Sequence, residues 1–377
     1  MSRIARGTTR RDFLRTGAAA GAAFGLAGTA LDALGAEPPA RRKLLILGGT
    51  AFLGPELVEA AQSARWTVTL FNRGKTNPHL FPDVEKLRGD RRSDLKALEG
   101  RSWDAVVDTS GYFPKDVTAS ARLLAKSVGL YVFVSTISVY GDTSKPGIDE
   151  RSPVAKTDQP DADKVTGANY GALKALCEEA AERAMPGKAL VIRPGLIIGP
   201  GDTSDRFTYW PVRVARGGEV LAPGTPEDPV QFVDVRDLAA WTIAMAGKGR
   251  TGVFNATGPK EPLTFGPMLA ACREASGSNA TFTWVDAKTL EELKIAPWSD
   301  MPCWVPPFGE TAGSRRVNNG KAVGEGLTFR PIVETARDTL AWWKTLPEER
   351  RSRLKAGLTA ERETAALATV REKKAKG

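Results

Sequence analysis

With 377 residues, 42% hydrophobic and 26% charged, the chain can bury a large core and form about two domains, or one large domain with an appendage. Of the net charge of +9, +3 lies in residues 1–36 and +4 in residues 348–377, which leaves +2 for the body and no basic face for nucleic acid. Cys177, Cys272 and Cys303 lack metal-ligand spacing and His79 is the only histidine, which excludes zinc or iron sites and histidine-based triads; a Cys272–Cys303 disulfide stays undecided.

In chain order, Thr8 to Leu14 (TTRRDFL) leads into Thr16–Leu34, an Ala/Gly-rich and mildly apolar stretch. Paired arginines, a bulky apolar pair and a weak apolar region resemble a twin-arginine export signal, with Gly35 and Ala36 as a cleavage region. Gly17, Gly21, Gly25 and Gly28 make this a poor helix in water. The expectation is that residues 1–36 engage the twin-arginine translocase and the remainder is periplasmic. No other segment approaches 18 unbroken apolar residues, so no stable membrane anchor is expected.

Lys43 to Val58 (KLLILGGTAFLGPELV) is an apolar run that ends on a glycine pair and enters a helical pattern. It reads as a buried parallel strand, a phosphate-binding turn in which Gly48 lets a pyrophosphate approach the main chain, and a helix packed closely through Gly54. The helix N-terminus adds free N–H groups and a positive dipole. A helix near Gly54–Ala64 precedes a strand at Trp66–Phe71. Strands follow at Asp104–Asp108, Leu130–Ser135, Ala189–Arg193 and Gly252–Asn255, with helical stretches near Asp94–Leu98 and Val117–Ser127. This alternation predicts an α/β fold, a doubly wound parallel sheet with its ligand at the carboxyl ends of the strands.

From about Gly195 the chain is richer in Pro, Gly and Trp. The expected organisation is an export signal (1–36), a dinucleotide-binding domain (37–195), a smaller C-terminal substrate-covering lobe interleaved with the last sheet strands (196–347), and a charged helical tail with a solvation role (348–377).

Tyr170-Gly-Ala-Leu-Lys174 places a phenol and an ammonium four residues apart on one helix face. A nearby cation lowers the pKa of a tyrosine by about 1–3 units, enough to make it a proton carrier. Thr136, where Ser135 to Gly141 (STISVYG) leaves a strand, can donate to a substrate carbonyl.

Taken in order, GGTAFLG (48–54), Gly89-Asp90, STISVYG (135–141), YGALK (170–174), RPGLIIGPG (193–201) and VQFVDVRDLA (230–239) resemble the extended short-chain dehydrogenase/reductase superfamily, in its NAD-dependent epimerase/dehydratase branch. The resemblance spans roughly residues 43–347 and implies a Rossmann-type fold. It implies Tyr170 as acid/base, Lys174 as the ribose ligand that lowers the Tyr170 pKa, and Thr136 as the substrate-positioning hydroxyl. A cofactor would lie against Gly48, Thr50, Ala51, Phe52, Leu53 and Gly54, against Asn72, Arg73 and Asp90, and against Thr109, Ser110 and Lys174. A homodimer through the helices beside Tyr170 is also implied.

Two departures stand out. Ala51 replaces the middle glycine of the family's turn, and the second strand ends Phe71-Asn72-Arg73-Gly74 without the acid that holds the NAD ribose. Arg73 can bind a 2′-phosphate, so NADP is favoured over NAD. The expected partner is a small molecule, a sugar or another polyhydroxylated carbonyl compound. Trp210, Trp298 and Trp304 are candidates to stack on it, and Trp298–Phe308 is a candidate lid. Export also implies a cofactor that stays bound and is restored within each cycle, as in epimerisation or dehydration. The alternatives are an NADPH-dependent reductase, or a non-catalytic nucleotide- or RNA-binding protein, because GGTxFLG with FNRG also looks like the atypical branch that includes chloroplast stem-loop-binding proteins.

Overall fold

The apolar runs of the first half form parallel strands. The computed structural model describes residues 41–376, so the export-signal reading of residues 1–36 lies outside the described residues. The chain begins β1 (Lys43–Leu47), α1 (Leu53–Ser63), β2 (Thr67–Asn72), β3 (Glu85–Arg88), β4 (Trp103–Asp108), α2 (Pro114–Leu124), β5 (Val128–Val134), α3 (Tyr170–Ala184) and β6 (Ala189–Pro194). The second half holds β7 (Leu196–Ile198), α4 (Tyr209–Ala215), β8 (Glu219–Pro223), β9 (Pro229–Asp234), α5 (Val235–Gly247), β10 (Gly252–Ala256), β11 (Gly258–Thr264), α6 (Phe265–Ser276) and β12 (Thr281–Val285). Then come α7 (Ala287–Glu292), α8 (Gly320–Gly324), α9 (Ile332–Thr345), α10 (Glu348–Arg351) and α11 (Ala360–Lys376).

Seven strands build one parallel sheet in the order β10-β6-β5-β4-β1-β2-β3. Side chains alternate across it: Leu44 and Ile46 face the core under α1 and α5, while Leu45 and Leu47 face the core under α2 and α3. Both faces are therefore covered, which is why these strands read as unbroken apolar runs. The order reverses at β1, between β2 and β4, and opens a crevice at the carboxyl ends there.

Several element bounds differ from expectation, with α2 beginning three residues earlier, at Pro114, and β5 two earlier, at Val128. The second strand runs Thr67–Asn72, one residue later than predicted. The helix expected at Asp94–Leu98 is a single 3₁₀ turn, Lys96–Leu98, because Asp90 and Asp94 close a tight turn through Asp94 N–H to Asp90 O at 2.7 Å.

The second half builds its own core from α4, α6, the parallel pair β8–β12 and part of α11. Trp210 and Trp304 are at its centre, 0% and 1% exposed, so these two candidates for sugar stacking are core residues. Trp210 Nε1 donates to Pro302 O (2.7 Å) and Trp304 Nε1 to Asp228 Oδ2 (2.6 Å). Met301, Cys303 and Trp304 thus anchor the candidate lid, although Phe308 is 61% exposed. The charged tail does more than solvate: α11 buries Ala366, Leu367 and Val370, and its Glu363 receives Arg213 Nε at 2.5 Å and Leu221 N–H at 3.0 Å. The three cysteines are buried and free. Among the described residues no helix is long and apolar enough to cross a membrane.

Candidate active site

The glycine turn after β1 forms the floor of a cleft of about 680 Å³. Gly48 has φ +118°, and a Cβ there would meet Thr109 Oγ1 at 2.5 Å. A Cβ on Gly54 would meet the Gly49 carbonyl carbon at 2.5 Å, so α1 packs directly on the turn and aims its N-terminus into the cleft. Ala51 is exposed and its φ is not positive, so its methyl group fits this turn without strain.

Of the residues expected to hold a cofactor, Gly48, Thr50, Ala51, Phe52, Leu53, Asn72, Arg73, Asp90, Thr109, Ser110 and Lys174 line this one cleft, together with Tyr170. Gly54 lies behind the turn, and Thr136 is buried behind Tyr170. Asn72 bridges the first two strands: its Nδ2 donates to Gly48 O (2.9 Å), and its Oδ1 accepts from Gly74 N–H (2.9 Å) and Arg88 Nη1 (3.2 Å). Arg73, Lys75 and Arg92 give this end of the cleft a basic mouth.

Tyr170 opens α3, and its phenol faces the Thr136 hydroxyl, which in turn caps the 3₁₀ turn Ile137–Val139 by accepting from Ser138 N–H at 3.1 Å. Burial, and then Tyr112, raise the Tyr170 pKa; Thr136 and the positive charge of Arg206 pull it back in part. The expectation that Lys174 draws this phenol down is not met in this structure. Lys174 Nζ is turned to two main-chain carbonyls, Val134 O (2.7 Å) and Gly111 O (2.8 Å), above the Phe133 ring. Burial lowers the Lys174 pKa to about 8, against the opposing pull of Cys177, Asp108 and Glu178.

Two buried ion pairs that sequence reasoning missed stiffen the site. Arg91 lines the cleft and clamps Asp108, at the end of β4, with bonds of 2.6 and 2.8 Å, while Tyr131 Oη donates to the same carboxylate at 2.7 Å. Glu178 on α3 accepts from Ser135 Oγ (2.5 Å) and Arg193 Nη2 (2.6 Å). Arg193 Nη1 reaches Tyr140 Oη (3.1 Å), which donates to Asn255 Oδ1 (2.6 Å). The loop that carries Thr136 is thereby fastened to α3, β6 and β10. An acid at the end of an apolar strand, such as Asp108, signals a buried partner, but only the fold names it.

A profile of the NAD dependent epimerase/dehydratase family matches residues 44–256. The chain is 26% identical over 266 residues to the chloroplast stem-loop binding protein of 41 kDa b of Arabidopsis thaliana, a match that covers 65% of this chain and 66%, just under two thirds, of that protein. It is 25% identical over 263 residues to the epimerase family protein SDR39U1 of Bos taurus, covering 63% and 82% of the two chains. The fold is that of the Bordetella bronchiseptica enzyme WbmH in complex with NAD+, at TM-score 0.59 and 17% identity over 81% of this chain and 99% of that one.

Proposed function

The chain belongs to the NAD dependent epimerase/dehydratase family, and on that footing we propose that it is an NAD(P)-dependent epimerase/dehydratase-type enzyme that acts on a sugar or polyhydroxylated carbonyl substrate. The observation that carries this reading is one cleft lined by both the Gly48–Leu53 turn and the Tyr170/Lys174 pair. The residues fit a dinucleotide, with a glycine at φ +118° where main chain must approach phosphate and a helix N-terminus behind it. Bound there, a nicotinamide supplies a reversible hydride acceptor. Tyr170 Oη, in the cleft, exchanges the proton of the substrate hydroxyl as it is oxidised and reduced; Thr136, behind it, orients the phenol, and Lys174, which lines the same cleft, holds the ribose.

NADP is the favoured form, since Arg73 and Lys75 line the cleft beyond β2, where Asn72 replaces an acid. WbmH carries NAD+, so the cofactor deserves a direct measurement. With export, the cofactor stays bound from the cytoplasm onward and is restored in each cycle. The chloroplast stem-loop-binding relative supports a second reading, RNA binding without catalysis; Tyr170 and Lys174 within the cleft favour the enzyme.

Mass spectrometry of gently purified protein identifies the bound nucleotide. Stopped-flow absorbance of reduced nicotinamide with UDP-glucose then compares wild type with Tyr170→Phe. Loss of about 10²–10⁴-fold in rate with nucleotide binding kept is expected. A Tyr170→Phe variant as fast as wild type overturns the assignment. Arg73→Ala lowers NADP affinity about tenfold and NAD affinity much less; equal loss for both overturns the NADP assignment.

A further inference from the structure

Packing and hydrogen bonds fix the loop that joins β4 to α2. Thr109 Oγ1 donates to Leu47 O (2.9 Å), and Ser110 N–H donates to the clamped carboxylate of Asp108 (3.0 Å). A Cβ on Gly111 would meet Phe133 Cε2 at 2.6 Å and Val117 Cγ2 at 2.7 Å, and Phe113 is buried where Pro114 opens α2. Tyr112 is the exception. It is 46% exposed, one of three large hydrophobic side chains left on the surface of the described residues.

That exposure is toward the cleft. Tyr112 lines it together with Thr109, Ser110, Tyr170 and Lys174, and its ring centroid is 5.5 Å from Lys174 Nζ. The same ammonium lies 4.1 Å from the Phe133 ring centroid and donates to Val134 O and to Gly111 O, the carbonyl just before Tyr112. Two of its three N–H donors are spent on main chain, which leaves one for a ribose hydroxyl. A hydroxyl about 2.9 Å from this ammonium brings its furanose within reach of the Tyr112 ring. A tyrosine on a fixed loop gives such apolar cover at small cost in conformational entropy, having two rotatable angles.

We infer that Tyr112 retains the cofactor: its ring covers the nicotinamide-side ribose held by Lys174 and slows release of the dinucleotide. This rests on the dinucleotide reading of the cleft and adds to it the residue that keeps the cofactor in place between turnovers. Trp298–Phe308, the lid expected from composition, is tied into the second core by Met301, Cys303 and Trp304. The loop after β4, by contrast, already presents an exposed ring to the cleft.

Release of NADPH and of NADH from loaded protein is followed by fluorescence in stopped-flow chases with excess oxidised cofactor, for wild type, Tyr112→Ala, Tyr112→Ser and Tyr112→Phe. Release of the form that wild type holds should quicken about tenfold or more in Tyr112→Ala and Tyr112→Ser, and stay within about twofold of wild type in Tyr112→Phe, which keeps the ring. Adenosine 2′,5′-bisphosphate and AMP, which lack the nicotinamide ribose, should bind every variant as they bind wild type in isothermal titration. Unchanged release from folded Tyr112→Ala or Tyr112→Ser overturns the inference. Equal weakening of the adenosine phosphates does so too, since it would mean a loosened cleft rather than a lost cover. Wild type that takes up neither NADPH nor NADH defeats the dinucleotide reading itself, whereas tight uptake with the same release rate in every variant defeats only the role of Tyr112.

Discussion

Lys174 offers the sharpest physical test, because its ammonium is held by main-chain carbonyls in a buried site. Its pKa falls from 10.5 to about 8, so the folded state binds this proton less tightly than the unfolded chain. Below pH 8 both states carry the proton and folding bears the cost; between 8 and 10.5 only the unfolded chain carries it, and stability rises with pH. A shift from 10.5 to 8 corresponds to about 3.4 kcal/mol in full, of which ~2.5 kcal/mol is recovered between pH 7 and 10. Lys174→Met keeps the length of the side chain beside Phe133 and removes the titration. Urea unfolding of both proteins across that range gives the difference curve, in which other titrating groups cancel. Wild type should gain on the variant by about 2.5 kcal/mol as pH rises. A difference curve flat to within ~0.5 kcal/mol would refute the depressed pKa and the reasoning built on it.

Glu178→Ala leaves the buried charge of Arg193 without its carboxylate, at a cost of about 3–5 kcal/mol. With ~2.1 cal/mol/K of unfolding entropy per residue over the described residues, the melting temperature falls by about 4–7 °C; a fall under 1 °C in scanning calorimetry would show the pair to be energetically idle. Gly54→Ala drives a methyl against Gly49 main-chain atoms at 2.5 and 2.6 Å. It should cost about 1–3 kcal/mol by urea unfolding and weaken nucleotide binding in fluorescence titration, and unchanged affinity would contradict the close packing.

What the sequence makes legible is local. Leu44–Leu47 and Ala105–Val107 announce strands because a sheet covered on both faces needs apolar residues at every position. The glycine turn and the four-residue spacing of Tyr170 and Lys174 are equally short-range. Legibility fails where the partner is distant or the environment decides. Arg193 meets Glu178 across two elements, and Arg206 and Arg315, more than a hundred residues apart in the chain, rest on the same Trp298 ring. Composition cannot separate a tryptophan that greets a ligand from one such as Trp210, whose indole nitrogen is spent on a carbonyl deep in a core. In α11, frequent charges mask the apolar face of Ala366, Leu367 and Val370. Lys174 sits on the expected helix, but the direction of its ammonium depends on two carbonyls from elsewhere in the chain, Val134 at the end of β5 and Gly111 in the loop after β4.

The edge strand β10 is delivered only after the chain has left the large sheet, threaded through β7, α4, β8 and β9, and come back beside β6. The two cores are therefore laced rather than strung in tandem. Cleavage near residue 195 would strand β6 with an open flank and strip Asn255 from the Tyr140 hydroxyl. Heat or denaturant should accordingly dismantle both cores together, in one cooperative step.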